Sequence, residues 1–199
     1  LKQAGREWFQ LLRTSLKNHK WNESLKCPST FFYVENSQTV AFLIVYVDDL
    51  ILAASNKSIL EKRKRQLLNM FDMTETAQVD FILGIRMQRD RRSRTLTLDQ
   101  HALIDRLLER HFDLIGYHSK DCLTPMASGS NNIPVANHRP LNQSVQKRYQ
   151  VVVGTLLYLA RYTRPDILTA VTIASRFSSN PGPQHTKHVE RILKYLKAT

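Results

Sequence analysis

Two adjacent carboxylates, Asp48 and Asp49, interrupt an otherwise apolar run between Val40 and Ala54. Two apolar strands separated by a polar pair fit a β-hairpin with the acids at its tip. Residues of this type at this spacing suit a divalent cation. Mg2+ prefers carboxylate oxygens and keeps several waters, so few protein ligands suffice. Two carboxylates side by side repel each other unless a cation neutralises them. Strand alternation predicts that the two point to different sides, one as the main ligand and one as an outer ligand. A turn also favours Asp for its dihedral tolerance alone, so the pair by itself admits a purely structural reading.

The charge balance points the same way. The chain carries a formal net charge of +12 over 199 residues, a balance that favours a polyanionic partner, nucleic acid first. Residues 57–94 hold ten Lys/Arg against five Asp/Glu, and residues 145–199 hold nine against two. The remaining stretches nearly cancel. Two basic zones separated by neutral ones suggest a binding track, against the plainer reading of a solvated basic surface. The two cysteines, Cys27 and Cys122, sit in no CxxC or Cys/His array, which excludes a disulfide framework and makes zinc improbable. The pairs His118/Cys122 and His185/His188 read as structural rather than as ligands. No continuous apolar run reaches the roughly 18 residues of a membrane helix.

The elements that must position the acids can be read from periodicity. Trp8, Leu11, Leu12 and Leu16 predict a helix over 3–18. Strands are expected at 30–35 and across 40–53. A helix over 57–71, capped by Ser55 or Asn56, would turn Ile59, Leu60, Leu67, Leu68 and Phe71 inward and the basic run Lys62–Arg65 outward. A second hairpin is expected from strands 79–89 and 95–98 joined by a turn at 90–94. Asp99 then caps a helix over 100–112. Periodicity is lost across 113–145, the best linker candidate. Beyond it the chain reads as helical. Tyr149, Val152, Val153, Leu156, Leu157 and Ala160 share one face, Pro165 and Asp166 mark a helix start, and a last helix runs from about 184 with Val189, Ile192, Leu193 and Leu196 inward. Lys187, Arg191 and Lys194 lie on its other side.

Five blocks in one order carry a resemblance: residues 1–9 (LKQAGREWF), 42–52 (FLIVYVDDLIL), 81–85 (FILGI), 163–167 (TRPDI) and 190–199 (ERILKYLKAT). Together they span nearly the whole chain, and they resemble the reverse transcriptase of copia-type LTR retrotransposons, a part of the Pol polyprotein. The resemblance implies an α+β fold: a partial polymerase palm over 1–115, with an antiparallel sheet and helices, a loop or linker over 116–144, and a helical thumb or connection over 145–199 leading toward a ribonuclease H. It implies RNA-directed DNA polymerisation by two-metal phosphoryl transfer, with Mg2+ or Mn2+ as cofactor and Asp48 and Asp49 as catalytic metal ligands.

Other roles follow from the same resemblance. Lys2 would lie near the phosphates of the incoming nucleotide, Gln3 near its sugar, and Tyr46 by the primer terminus. Phe81, Leu83 and Gly84 would hold the primer 3′ end. Arg161, Arg164, Lys187, Arg191 and Lys194 would meet the nucleic-acid backbone, as sequence-independent binding requires. The implied partners are an RNA and DNA primer–template, dNTPs, and the integrase and ribonuclease H of the same polyprotein, with no membrane. The implied location is intracellular, in a cytoplasmic virus-like particle or the nucleus.

Departures from the family pattern fall away from the chemistry: Gly5 where many relatives have Pro, Ala198 where Gly is usual, and Thr186 and Glu190. The family's third catalytic Asp comes from a strand ahead of residue 1, and the start at Leu1-Lys2-Gln3 reads as a cut within a longer frame. The chain alone is therefore expected to be inactive and poorly soluble, with Asp80 as the in-chain candidate for a third ligand. Two other readings stand beside the enzyme: a non-catalytic nucleic-acid-binding remnant of a degenerate element, and a structural subunit paired with a complete polymerase.

Overall fold

The computed structural model describes residues 3–76, 79–111, 113, 122–127 and 142–199. Lys2 and most of the expected linker, including His118, lie outside them. The chain forms two compact units, Leu1–Val79 and Asp80–Thr199. The stretch expected to be one partial palm, 1–115, thus contributes to both.

The first unit begins with α1 (Ala4–Asn18) and continues through β1 (Trp21–Glu23), β2 (Thr30–Glu35), β3 (Gln38–Tyr46), β4 (Asp49–Ala54) and α2 (Lys57–Met70). The strands form one antiparallel sheet in the order β1-β2-β3-β4. Alternation along β3 divides its side chains: Ala41, Leu43 and Val45 are buried, while Phe42, Ile44 and Tyr46 are exposed. The buried set joins Leu12 and Leu16 of α1, Trp21, Phe31 and Leu67 of α2 in one core. Helix α1 earns its place by the apolar spacing read from sequence, and Asn56 caps α2 by accepting from Ile59 N at 2.9 Å. Two residues, Asn36 and Ser37, close the β2–β3 turn with φ of 49° and 62°, a conformation that Asn tolerates well.

The basic run on α2 does not face outward as a block. Arg63 is 4 % exposed. Its guanidinium lies 3.7 Å from the centroid of the Tyr33 ring and donates to Glu35 Oε1 at 2.9 Å and Gln66 Oε1 at 3.0 Å. Position 63 falls three residues after Leu60 and four before Leu67, on the inward face. A long aliphatic stem with a planar head can fill such a position where an aromatic ring and a carboxylate receive it. Of the residues expected inward, Leu67 is fully buried; Ile59, Leu60, Leu68 and Phe71 are half-buried.

The second unit contains β5 (Phe81–Ile82), β6 (Ile85–Asp90), β7 (Thr95–Asp99), α3 (His101–Arg110), α4 (Gln143–Tyr162), a 3-10 turn (Pro165–Ile167), α5 (Leu168–Ser175) and α6 (Pro183–Ala198). The strands pair antiparallel in the order β5-β6-β7. The strand expected over 79–89 is broken at Leu83 and Gly84, because both adopt positive φ (53° and 72°) and turn the chain between Ile82 and Ile85. Helix α3 starts after Gln100 rather than Asp99, whose carboxylate is 3.4 Å from the His101 amide. Its Ile104 and Leu107 share a core with Tyr149, Val152, Val153, Leu156 and Leu159 of α4 and with α5 and α6, which is why it belongs to this unit. Leu157 is only half-buried, and Leu159 takes the inward place instead.

Both histidines of the last helix are structural. His185 Nδ1 accepts from the Gly182 amide at 2.8 Å and closes the helix N-terminus, while its ring stacks on Phe177 at 3.9 Å. His188 Nε2 lies 3.0 Å from Ala170 O. Among the described residues no helix is long and apolar enough to cross a membrane.

Arg148 joins α4 to the end of α3. Its Nε donates to His111 Nδ1 at 3.1 Å, and its other nitrogens pair with the Asp113 carboxylate. Burial, helped by the Arg148 charge, holds the His111 imidazole below its ordinary value of 6.5. In the unfolded chain the ring takes up a proton near its ordinary value; in the fold it resists. Stability contributed at this position is thus present above about pH 6.5 and declines as pH falls below it. His111→Gln is predicted to flatten the fall in unfolding free energy between neutral and mildly acidic pH; equal slopes for both proteins in urea titrations would refute the assignment.

Candidate metal-binding hairpin and nucleic-acid groove

Tyr46 pairs with Asp49 across the β3–β4 hairpin, so Val47 and Asp48 alone make the turn. Such a short loop demands unusual dihedrals, and Val47 adopts φ 52°. For a β-branched residue this is a strained conformation that costs on the order of 1–3 kcal/mol. The surroundings hold it. Trp8 Nε1 donates to Val47 O at 2.8 Å, linking residues 39 apart in sequence. The indole is fixed in turn by edge-on contact with Phe71, ring centroids 5.3 Å apart. Helices α1 and α2 thus hold the hairpin tip from the side of the core.

Asp48 and Asp49 are both exposed. Neither carboxylate has a hydrogen-bond or ion-pair partner among the described residues, so their lone pairs remain available. Register places Asp49 on the face that carries Tyr46, Ile44 and Phe42. Asp48 is a turn residue, to which strand alternation does not apply. Paired, unengaged carboxylates on a stiff turn are an appropriate donor set for Mg2+ or Mn2+. Among the described residues no three His, Cys, Asp or Glu gather into a metal-ligating group, so the pair alone would offer only part of a coordination shell. β4 pairs only with β3, leaving its other edge open among the described residues to a further strand.

Gln3 precedes α1. Its carbonyl accepts from the amides of Arg6 and Glu7 at 3.0 and 3.1 Å, while its side chain makes no cap hydrogen bond. Capping therefore leaves the exposed amide group of Gln3 available to a ligand.

In the second unit the Leu83–Gly84 turn repeats the same solution. Leu83 is a non-glycine residue at φ 53°, and Tyr158 Oη of α4 donates to its carbonyl. A Cβ on Gly84 would lie 3.5 Å from that same hydroxyl. Beside the turn lies a cavity of about 470 Å3, lined by Gly84, Leu103, Arg106, Gln150, Val151, Gly154, Thr155 and Tyr158. Gly154 sits mid-helix with nothing within 4 Å of where its Cβ would be. A glycine there lowers helix stability by about 1 kcal/mol relative to Ala, and it leaves α4 open to close approach. Phe81 is 63 % exposed at the start of β5.

The five expected backbone-binding cations differ in state. Arg161 and Lys187 are exposed and Lys194 is half-buried. Arg164 is engaged: it pairs with Asp166 at 2.8 Å and donates to Thr199 Oγ1 at 2.5 Å. This pairing raises the Arg164 pKa and lowers that of Asp166. Arg191 donates to Thr124 O and Oγ1 at 3.1 and 2.9 Å. Trp8, Tyr158, Gly154 and Arg106 were not legible as site residues; for Trp8 the only signal was an apolar helical position.

Trp8→Phe keeps an aromatic ring beside Phe71 and removes the indole N–H. It is predicted to destabilise the protein by about 1 kcal/mol and to speed amide exchange selectively at Val47–Leu50. The check is hydrogen exchange followed by NMR; unchanged protection at the tip would contradict the clamp.

Over its full length the chain is 33 % identical to the retrovirus-related Pol polyprotein from transposon TNT 1-94 of Nicotiana tabacum, covering 15 % of that protein. It is 31 % identical over its full length to the corresponding polyprotein from transposon RE1 of Arabidopsis thaliana, covering 13 %. It is also 28 % identical to a putative transposon Ty5-1 protein of Saccharomyces cerevisiae, of which it covers 62 %. The chain therefore spans about one seventh of the length of the first two relatives. No solved structure matches. Residues 1–128 match the family model described as reverse transcriptase (RNA-dependent DNA polymerase), and the chain belongs to that family.

Proposed function

We propose that these residues form part of the polymerase of a copia-type retrotransposon, which copies RNA into DNA inside the cell. The observation that carries the reading is the pair of unengaged carboxylates, Asp48 and Asp49, on a strained hairpin held by Trp8. In this reading the first unit is palm: its sheet presents the acids, and the open edge of β4 receives the strand bearing a third carboxylate. These acids would hold divalent cations together with the third carboxylate, one ion acidifying the primer 3′-hydroxyl and a second offsetting charge on the departing pyrophosphate. Gln3, with its side chain left free by capping, immediately precedes the helix that clamps the tip and is suited to the nucleotide sugar. Tyr46, on the Asp49 face, offers a ring to the last base pair.

The helices of the second unit act as thumb. The cavity between the Leu83–Gly84 turn and α4 takes the primer–template: Gly84 and Gly154 admit the strand closely, and Arg106 supplies positive charge. Sequence is read by base pairing, so the protein needs only backbone and shape contacts. A second reading, a nucleic-acid-binding segment without catalysis, is favoured by one observation: among the described residues the tip gathers no third ligand.

Primer extension separates the two. The 199-residue chain alone is predicted to incorporate no dNTP on a primed RNA template with Mg2+ or Mn2+. In a longer polypeptide that supplies the preceding strand, Asp48→Asn is predicted to lower extension by at least about a hundredfold, since loss of a metal-ligand carboxylate removes several kcal/mol of charge stabilisation. Asp49→Asn is predicted to cost less, as the outer ligand. Near-normal extension by the Asp48 variant would overturn the catalytic reading.

A further inference from the structure

The distal half of the β6–β7 ribbon carries a concentration of charge that neither the carboxylate hairpin nor the α4 cavity uses. Every residue from Gln88 to Leu98 is exposed, so this part of the ribbon is a free-standing arm. It holds Arg89, Arg91, Arg92 and Arg94, and no lysine. Its one acid is already committed. The Asp90 carboxylate accepts from the Arg92 amide at 2.8 Å and from Ser93 Oγ at 2.7 Å, and these bonds hold it below the usual carboxylate range. The acid therefore builds the turn and neutralises no guanidinium. None of the four arginines has an ion-pair partner among the described residues.

Such an arm is costly to maintain for the fold alone. A two-stranded ribbon is marginal in water, and like charges crowded at its tip repel one another. The exposed Leu96 and Leu98, opposite Arg89 and Met87 in register, add apolar surface on one face. A polyanion relieves the repulsion. The choice of arginine throughout favours phosphate, because the planar guanidinium meets phosphate oxygens with two parallel donors where an ammonium offers a point charge.

We propose that the tip of this ribbon, Arg89 to Arg94, is a separate nucleic-acid contact that grips the phosphodiester backbone of the bound duplex. It rests on the polymerase reading only for the identity of the polyanion. The arm makes no base-specific contact, adds affinity without sequence preference, and steepens the salt dependence of binding.

The test is fluorescence anisotropy of the 199-residue chain on a labelled RNA–DNA hybrid across a salt series. The ribbon variant combines Arg91→Ser, Arg92→Ser and Arg94→Asn; Asn suits the positive φ of 56° at position 94. A control variant removes the same charge outside both basic zones through Arg6→Gln, Lys26→Ser and Arg110→Gln. All six positions are exposed, and circular dichroism verifies the fold of both proteins. Each lost phosphate contact lowers the slope of log K against log salt by about 0.9. The ribbon variant is expected to reduce that slope by about 2–3 and to weaken binding at least about tenfold at low salt, with a smaller change for the control. If the parent binds the hybrid and both variants behave alike, the ribbon assignment is overturned while the polymerase reading stands. If the parent binds no hybrid, both fall. Equal affinity of the ribbon for polyglutamate would also overturn it, in favour of an acidic protein partner.

Discussion

The fold turns on two short hairpin loops that force non-glycine residues into left-handed backbone, each held by an aromatic donor from a helix. Val47 and Leu83 occupy φ of 52° and 53°; Trp8 reaches the first carbonyl and Tyr158 the second. Neither turn has the Asn-Gly or Asp-Gly sequence that adopts such dihedrals at little cost. A hydrogen bond of this kind contributes about 1 kcal/mol net, the same order as the strain. Sheet position thereby becomes coupled to helix position. Removing the donor frees the loop to relax, and relaxation moves the residues that the loop displays.

Electrostatics explains why those residues are worth holding. Asp48 and Asp49 repel each other, and no cation of the described residues pairs with them. Where ion pairs do form they join elements, as Arg63 with Glu35 and Arg148 with Asp113 do, or brace a turn, as Arg164 with Asp166 does. The acids at the β3–β4 tip and the arginines of the β6–β7 arm have no such structural role; each is a cluster of like charge held at a hairpin tip.

Much of this was legible in the sequence. The acid pair inside an apolar run located the hairpin, and helical spacing located α1, α2, α4 and α6, because burial of one face is written into every third or fourth residue. The illegible parts share a cause: they depend on contacts distant in sequence. Periodicity places position 63 inward but does not foretell that Tyr33 and Glu35 will receive an arginine there. Trp8 reads as an ordinary core residue until Val47, 39 positions later, supplies an acceptor. The break at Leu83 was hidden because Phe81, Ile82 and Ile85 around it look like a continuous strand, with Gly84 as the only break signal. The amphipathic pattern of α3 fits either neighbour; only its partners, the core residues of α4, decide where it packs.

The central claim is that the β3–β4 tip is a preset divalent-cation site. The most direct measurement is Mn2+ paramagnetic broadening in NMR spectra of the isotopically labelled chain, with Asp48→Asn as reference. The account predicts selective broadening of the Val47–Leu50 amides and of the Trp8 indole N–H, lost in the Asp48 variant. Broadening centred on other carboxylates, or unchanged by Asp48→Asn, would contradict it.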